Sequence, residues 1–134
     1  MKQSLAARWL ESRSLQVERI PISDPEKDQV QIKVGSAGIC GSDLHYIRGD
    51  KLVTTGSVPG HEIGGVVSAI GHNVNYLCEG DVVGVEPIVR CGSWPLLPNR
   101  CIQVCGERGL LGDMYDGGMS EYVNVPRYTV FKAP

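Results

Sequence analysis

The chain has 134 residues, 42% hydrophobic and 21% charged, with 13 basic and 15 acidic side chains giving a net charge of −2. That is one domain with enough apolar content for a real core, and too apolar and too weakly charged to be intrinsically disordered. The balanced charge argues against a nucleic-acid-binding surface, and no apolar run is long enough to cross a bilayer or to serve as a signal peptide at the N-terminus.

In chain order, strands are expected at Leu5 to Trp9 and Leu15 to Ile20, parted by the polar turn Glu11-Ser12-Arg13-Ser14. Val30-Gln31-Ile32-Lys33-Val34 alternates at period two, as a half-buried strand does. Glycines then recur every third residue from Gly35 to Gly41. Ser42 to Ile47 fits one or two helical turns with Ser42 as the N-cap. Ile63 to Ile70 and Val82 to Ile88 read as buried strands, and Tyr122 to Val125 and Thr129 to Phe131 as two more. Cys91 to Gly118 carries Pro95, Pro98 and six glycines without periodicity, which makes it a long irregular lobe.

Seventeen glycines make up about 13% of the chain, against roughly 7% in average proteins. With eight prolines and only 6% aromatic residues, short strands, many turns and an aliphatic core are implied. The fold class is therefore mainly β, a barrel or sandwich with short helical turns.

Five cysteines are an odd number that disulfides cannot use up. Reduced thiols in a cytoplasm are the expectation, with metal ligation the first alternative to packing. No G-x-G occurs anywhere, so a dinucleotide fingerprint and a P-loop are both missing.

Two stretches carry chemistry: Gly38-Ile39-Cys40-Gly41-Ser42-Asp43-Leu44-His45-Tyr46 and Pro59-Gly60-His61-Glu62. If the two loops converge, thiol, imidazole and carboxylate meet as a three-ligand zinc site with a fourth position open. Flanking glycines would let the backbone turn sharply there. Taken singly, each has a plain alternative: Cys40 as a small buried hydrophobe, His61 satisfied by backbone, Glu62 as a solvated charge.

Together these stretches resemble the N-terminal catalytic domain of the zinc-dependent medium-chain alcohol and polyol dehydrogenases, including the sorbitol- and idonate-dehydrogenase-like members. The likeness extends through Val66 to Gly71, Gly80-Asp81-Val82-Val83 and Asp116-Gly117-Gly118-Met119-Ser120-Glu121-Tyr122. It implies a GroES-like β-barrel over residues 1–134, with a Rossmann domain for NAD or NADP outside this chain. Such a fragment alone is expected to be inactive, and the full-length enzyme to be a homo-oligomer, a dimer or tetramer, with a small-molecule alcohol as substrate.

The resemblance makes Cys40 and His61 ligands of a catalytic Zn2+. Glu62 is a ligand in sorbitol-dehydrogenase-like members; in others a residue beyond Pro134 takes that role. Asp43 would accept the other ring N–H of His61, or else simply be a carboxylate at a helix N-terminus. Ser42 would hydrogen-bond the substrate hydroxyl, and His45 would pass the proton to solvent, since an unperturbed imidazole titrates near working pH; an exposed His on a short helix is the alternative. Tyr46 would line the substrate pocket, or pack. The chemistry would be hydride removal from a secondary alcohol, a polyol or sugar-derived one, which Lewis acidity makes feasible.

Many relatives hold a structural zinc with four cysteines spaced C-x2-C-x2-C-x7-C. Counting from Cys91, those positions are Cys91, Trp94, Leu97 and Cys105, and Cys101 alone adds no fourth ligand, so a structural zinc is not expected. Cys78 fits no ligand position and is expected to be buried. Two readings compete: a non-catalytic zinc or interaction module, which needs the ligands but no Ser42–His45 relay, and a metal-free reductase, against which Cys40 and His61 together speak.

Overall fold

The computed structural model describes residues 2–11, 14–90 and 108–134. The elements are β1 (Lys2–Glu11), β2 (Ser14–Ile22), β3 (Gln29–Gly38), α1 (Gly41–Arg48), β4 (Glu62–Ile70), β5 (Val82–Val85), β6 (Ile88–Val89), β7 (Gly109–Leu110), β8 (Tyr122–Pro126), a 3-10 turn (Arg127–Thr129) and β9 (Val130–Lys132). The mainly β reading of the sequence holds. Five strands form one sheet in the order β8-β3-β4-β5-β9; β1 pairs with β2, and β6 with β7.

β3 is an interior strand, paired with β8 on one side and β4 on the other, and its alternation supplies two fully buried side chains, Val30 and Ile32. Antiparallel pairing sets Val30 opposite Val125 and Ile70, and Ile32 opposite Val123 and Val67. Leu77, Val83, Leu111 and Val130 complete an aliphatic core, as the low aromatic content implies. Each such side chain contributes roughly 1.5–3 kcal/mol through burial.

The β3–β4 register slips between Gln31 and Ile32 and again between Val34 and Ser36. Bulges bend a strand and re-aim the side chains beyond them. Here they lie just before Gly38, which pairs with Glu62. The irregular ladder thus delivers the end of β3 and the start of β4 side by side.

Three expectations need correction. Val82 to Ile88 is not one strand: β5 stops at Val85, since Pro87 has no N–H to continue a ladder, and the chain re-pairs as β6. Cys78 is exposed, not buried, because the turn that bonds its N–H to Asp81 Oδ2 (2.8 Å) turns Leu77 inward instead. The helix begins at Gly41 and its N-cap is Cys40, not Ser42.

Residues 91–107 of the irregular stretch, with Cys91, Trp94, Leu97, Cys101 and Cys105, lie outside the described residues. Its last part does not wander. Met119 N–H donates to Pro59 O (2.9 Å), Gly118 N–H to Gly60 O (2.8 Å) and Gly117 N–H to Val58 O (2.7 Å). The β1–β2 hairpin closes over the same segment through Ala7 N–H to Met119 O (2.9 Å) and buries Trp9.

Candidate metal centre

Cys40 reaches the site as the N-cap of α1. Its N–H donates to Asp43 Oδ2 (2.8 Å), and the Asp43 N–H donates back to Cys40 O (3.0 Å). This reciprocal pair satisfies donors that a helix start leaves open, and it fixes where the thiol emerges. Asp43 is 4% exposed, with its Oδ2 held by the Cys40 N–H. Among the described residues no hydrogen bond joins it to His61.

His61 follows a buried loop whose turn is made at Gly60, with φ +93°. A side chain would be strained there, and a Cβ would meet Met119 Cγ at 2.8 Å. The glycines beside Cys40 do different work, for neither Gly38 nor Gly41 has a positive φ. Asp116 Oδ1 accepts the Val58 N–H (3.0 Å), which ties the His61 loop to the returning segment.

Cys40, His61 and Glu62 each offer a donor atom within 4.8 Å of the others. None of the described hydrogen bonds uses the His61 ring or the Glu62 carboxylate. A tetrahedral zinc spaces thiolate, imidazole and carboxylate donors roughly 3.5 Å apart, so a movement of about an ångström would close the cluster on an ion. The donor set, one S, one N and one O, suits zinc. Sequence spacing suggested this convergence, and the fold brings it about.

Ser42 lies two residues along α1, and its Oγ is buried without a hydrogen-bond partner, alone in this among the described side chains. His45 is one helical turn further on. Its Nδ1 pairs with Asp50 Oδ2 at 3.0 Å, and both side chains are about half exposed. Tyr46 is 7% exposed, with its ring 6.5 Å from that of Trp9 and its hydroxyl donating to Asp113 Oδ2 (3.1 Å).

Burial first, and the Asp113 carboxylate second, push the Tyr46 hydroxyl up from 10.0 to about 12. The folded state therefore favours the protonated form. The stability this confers is complete below pH 10 and lost as pH rises towards 12. Urea midpoints of the native chain should fall through that window, and those of Tyr46→Phe should fall less. Equal slopes would show that Tyr46 does not carry the linkage.

Asp113, Asp116 and Asp50 were missed as supports by sequence reasoning. Asp116 stood in a stretch noted only for its likeness to relatives, and Asp113 in one without periodicity. For Asp113 and Asp116 no local pattern announces a partner more than fifty residues away, whereas Asp50 lies only five residues from His45, just past the end of α1.

A family model, the alcohol dehydrogenase GroES-like domain, matches residues 26–134. The chain belongs to this family. Sorbitol dehydrogenase of Bacillus subtilis is 34% identical over 96% of the chain and 38% of its own length. A putative zinc-binding dehydrogenase from Sinorhizobium meliloti bound to NADP superposes with a TM-score of 0.90 at 30% identity, over all of this chain and 39% of that one. For 2R,3R-butanediol dehydrogenase from Bacillus subtilis the values are 0.86 and 34%, over 98% and 40%. The GroES-like domain thus spans about two fifths of the relatives it matches, and its β-fold is theirs.

Proposed function

We propose that this GroES-like domain is the catalytic portion of a zinc-dependent, NAD(P)-linked dehydrogenase that oxidises a secondary alcohol, a polyol or sugar-derived one. The observation that carries the reading is the meeting of Cys40, His61 and Glu62 within 4.8 Å. These three residues would hold the ion. Zinc bound there supplies Lewis acidity, which lowers the pKa of an alcohol hydroxyl.

The chain's own residues then manage the proton. Ser42 Oγ, buried and unpartnered, takes the hydrogen bond of the substrate hydroxyl. Holding an unpaired buried polar atom costs about 1–3 kcal/mol, and a substrate hydroxyl would relieve it. His45 stands an i,i+3 step away on the same side of α1, half in solvent, with Asp50 holding its Nδ1. It carries the proton outward while Ser42 stays inside. Asp43 supports the site by fixing Cys40 rather than by touching substrate. Since no G-x-G occurs between residues 1 and 134, NAD or NADP is held by polypeptide outside them.

The names of two of these relatives support the substrate class: sorbitol and butanediol are both alcohols with secondary hydroxyls. Residues 1–134 act as one catalytic domain, because the β1–β2 hairpin is bonded to the segment that holds the His61 loop. We assign the whole enzyme to the cytoplasm, where the free thiols of Cys40 and Cys78 persist, and expect a homo-oligomer.

The test uses cobalt(II), which occupies zinc sites and reports on its ligands. A cobalt-loaded chain should show a thiolate charge-transfer band, and adding sorbitol should shift its visible bands. The shift should weaken in Ser42→Ala. A spectrum indifferent to every polyol tried would favour a non-catalytic metal module.

A further inference from the structure

We propose that Gly38 is a positioning residue for the Glu62 carboxylate: its missing side chain is the space in which that carboxylate reaches Cys40 and His61. The inference rests on the reading that these three residues bind a divalent metal.

Gly38 ends β3 and pairs with Glu62 at the start of β4. A Cβ built on Gly38 would overlap Glu62 Oε2, and it would lie 3.0 Å from Glu62 Cβ and 3.2 Å from the carboxyl carbon. No other residue is among its three nearest atoms. The backbone does not require glycine there, because φ at Gly38 is not positive. What the position excludes is therefore volume, and the volume belongs to one side chain.

Glu62 is exposed, so a methyl group at position 38 would not be trapped against packed core. The carboxylate would simply swing away. A methyl group at position 38 takes the space that Oε2 now fills, so the carboxylate turns away from the donors it must approach by about an ångström to share an ion, and the third ligand is weakened while the fold is kept. Gly41, on the other side of Cys40, differs: a Cβ there would meet nothing within 4 Å.

Cobalt(II) titration of the metal-free chain and its variants separates the possibilities. Gly38→Ala should weaken binding by about tenfold or more, to the level of Glu62→Gln, with the thiolate charge-transfer band retained and the d–d bands altered alike. The double variant should bind no more weakly than either single one. Gly41→Ala should bind as the native chain does. Thermal midpoints of the metal-free proteins should agree, which shows that each variant folds.

Native affinity in Gly38→Ala, beside weakened binding in Glu62→Gln, would overturn the role of Gly38 and leave the metal site standing. Equal weakening by Gly41→Ala would overturn it too, in favour of general backbone freedom around Cys40. No cobalt binding by the native chain would instead remove the metal reading itself.

Discussion

Cys40→Ser is expected to lower zinc affinity by more than about 100-fold, beyond the 10–100-fold that loss of a supporting partner costs. A metal-bound thiol is deprotonated outright, whereas a serine hydroxyl resists ionisation and gives hard oxygen in place of soft sulfur. The substitution is favourable as a test because it spares the fold. Residue 40 is the N-cap of α1, with φ −90° and ψ 158°. Serine is among the preferred residues for that position. The metal-free variant should therefore melt at or slightly above the native temperature while metal analysis finds zinc gone. Zinc retained in the variant would move the ion elsewhere, to Cys91–Cys105 in the first instance, and end the proposed function.

Gly117→Ala is expected to destabilise the chain by about 3 kcal/mol or more, at the upper end of what overpacking costs. A Cβ on Gly117 would overlap the carbonyl oxygen of Gly60, with Pro59 O at 2.6 Å and Gly112 Cα at 2.7 Å. All are backbone atoms, so no side chain can rotate aside. Backing away would stretch the hydrogen bonds from Gly117, Gly118 and Met119 to Val58, Gly60 and Pro59, each contributing about 1 kcal/mol. Gly84→Ala is the control, since a Cβ there meets nothing within 4 Å. It should change stability by less than about 1 kcal/mol. Urea denaturation of both checks the contrast. A Gly117→Ala chain as stable as Gly84→Ala would mean that the 117–119 segment does not clamp the His61 loop. Because that loop presents a ligand, the variant should also bind metal more weakly.

How much of this could be read beforehand varies from residue to residue. β3 was visible from Val30 and Ile32, because a strand with one apolar face writes its period into the chain. Cys40, His61 and Glu62 were legible as candidates since their types are scarce and glycines surround them. Leu77 and Cys78 were not separable: two adjacent apolar residues in a turn differ only in which way the turn faces, and the Asp81 side chain decides that. The break after Val85 was written in Pro87 and passed over in favour of the apolar run.

The 109–119 segment is the clearest limit. Its glycines looked like the mark of a loose lobe, yet Gly112 and Gly117 are there because two backbones cross at contact distance. Composition is the same in both cases. Only the neighbour differs, and the neighbour, Pro59-Gly60, lies more than fifty positions away.

Sequence alone determined the local terms: strand periods, an aliphatic core, a helix start at the glycine-rich bend, and three donors of the right chemical kinds. Those terms depend on covalent neighbours, so one chain read in order contains them. Tertiary structure alone decided that the donors come within 4.8 Å, that Ser42 Oγ is left without a partner, and that Gly38 is empty for the sake of Glu62. These are distances between separate strands, set by register and by two bulges, and a one-residue slip in that register would turn every side chain on the strand to the other face.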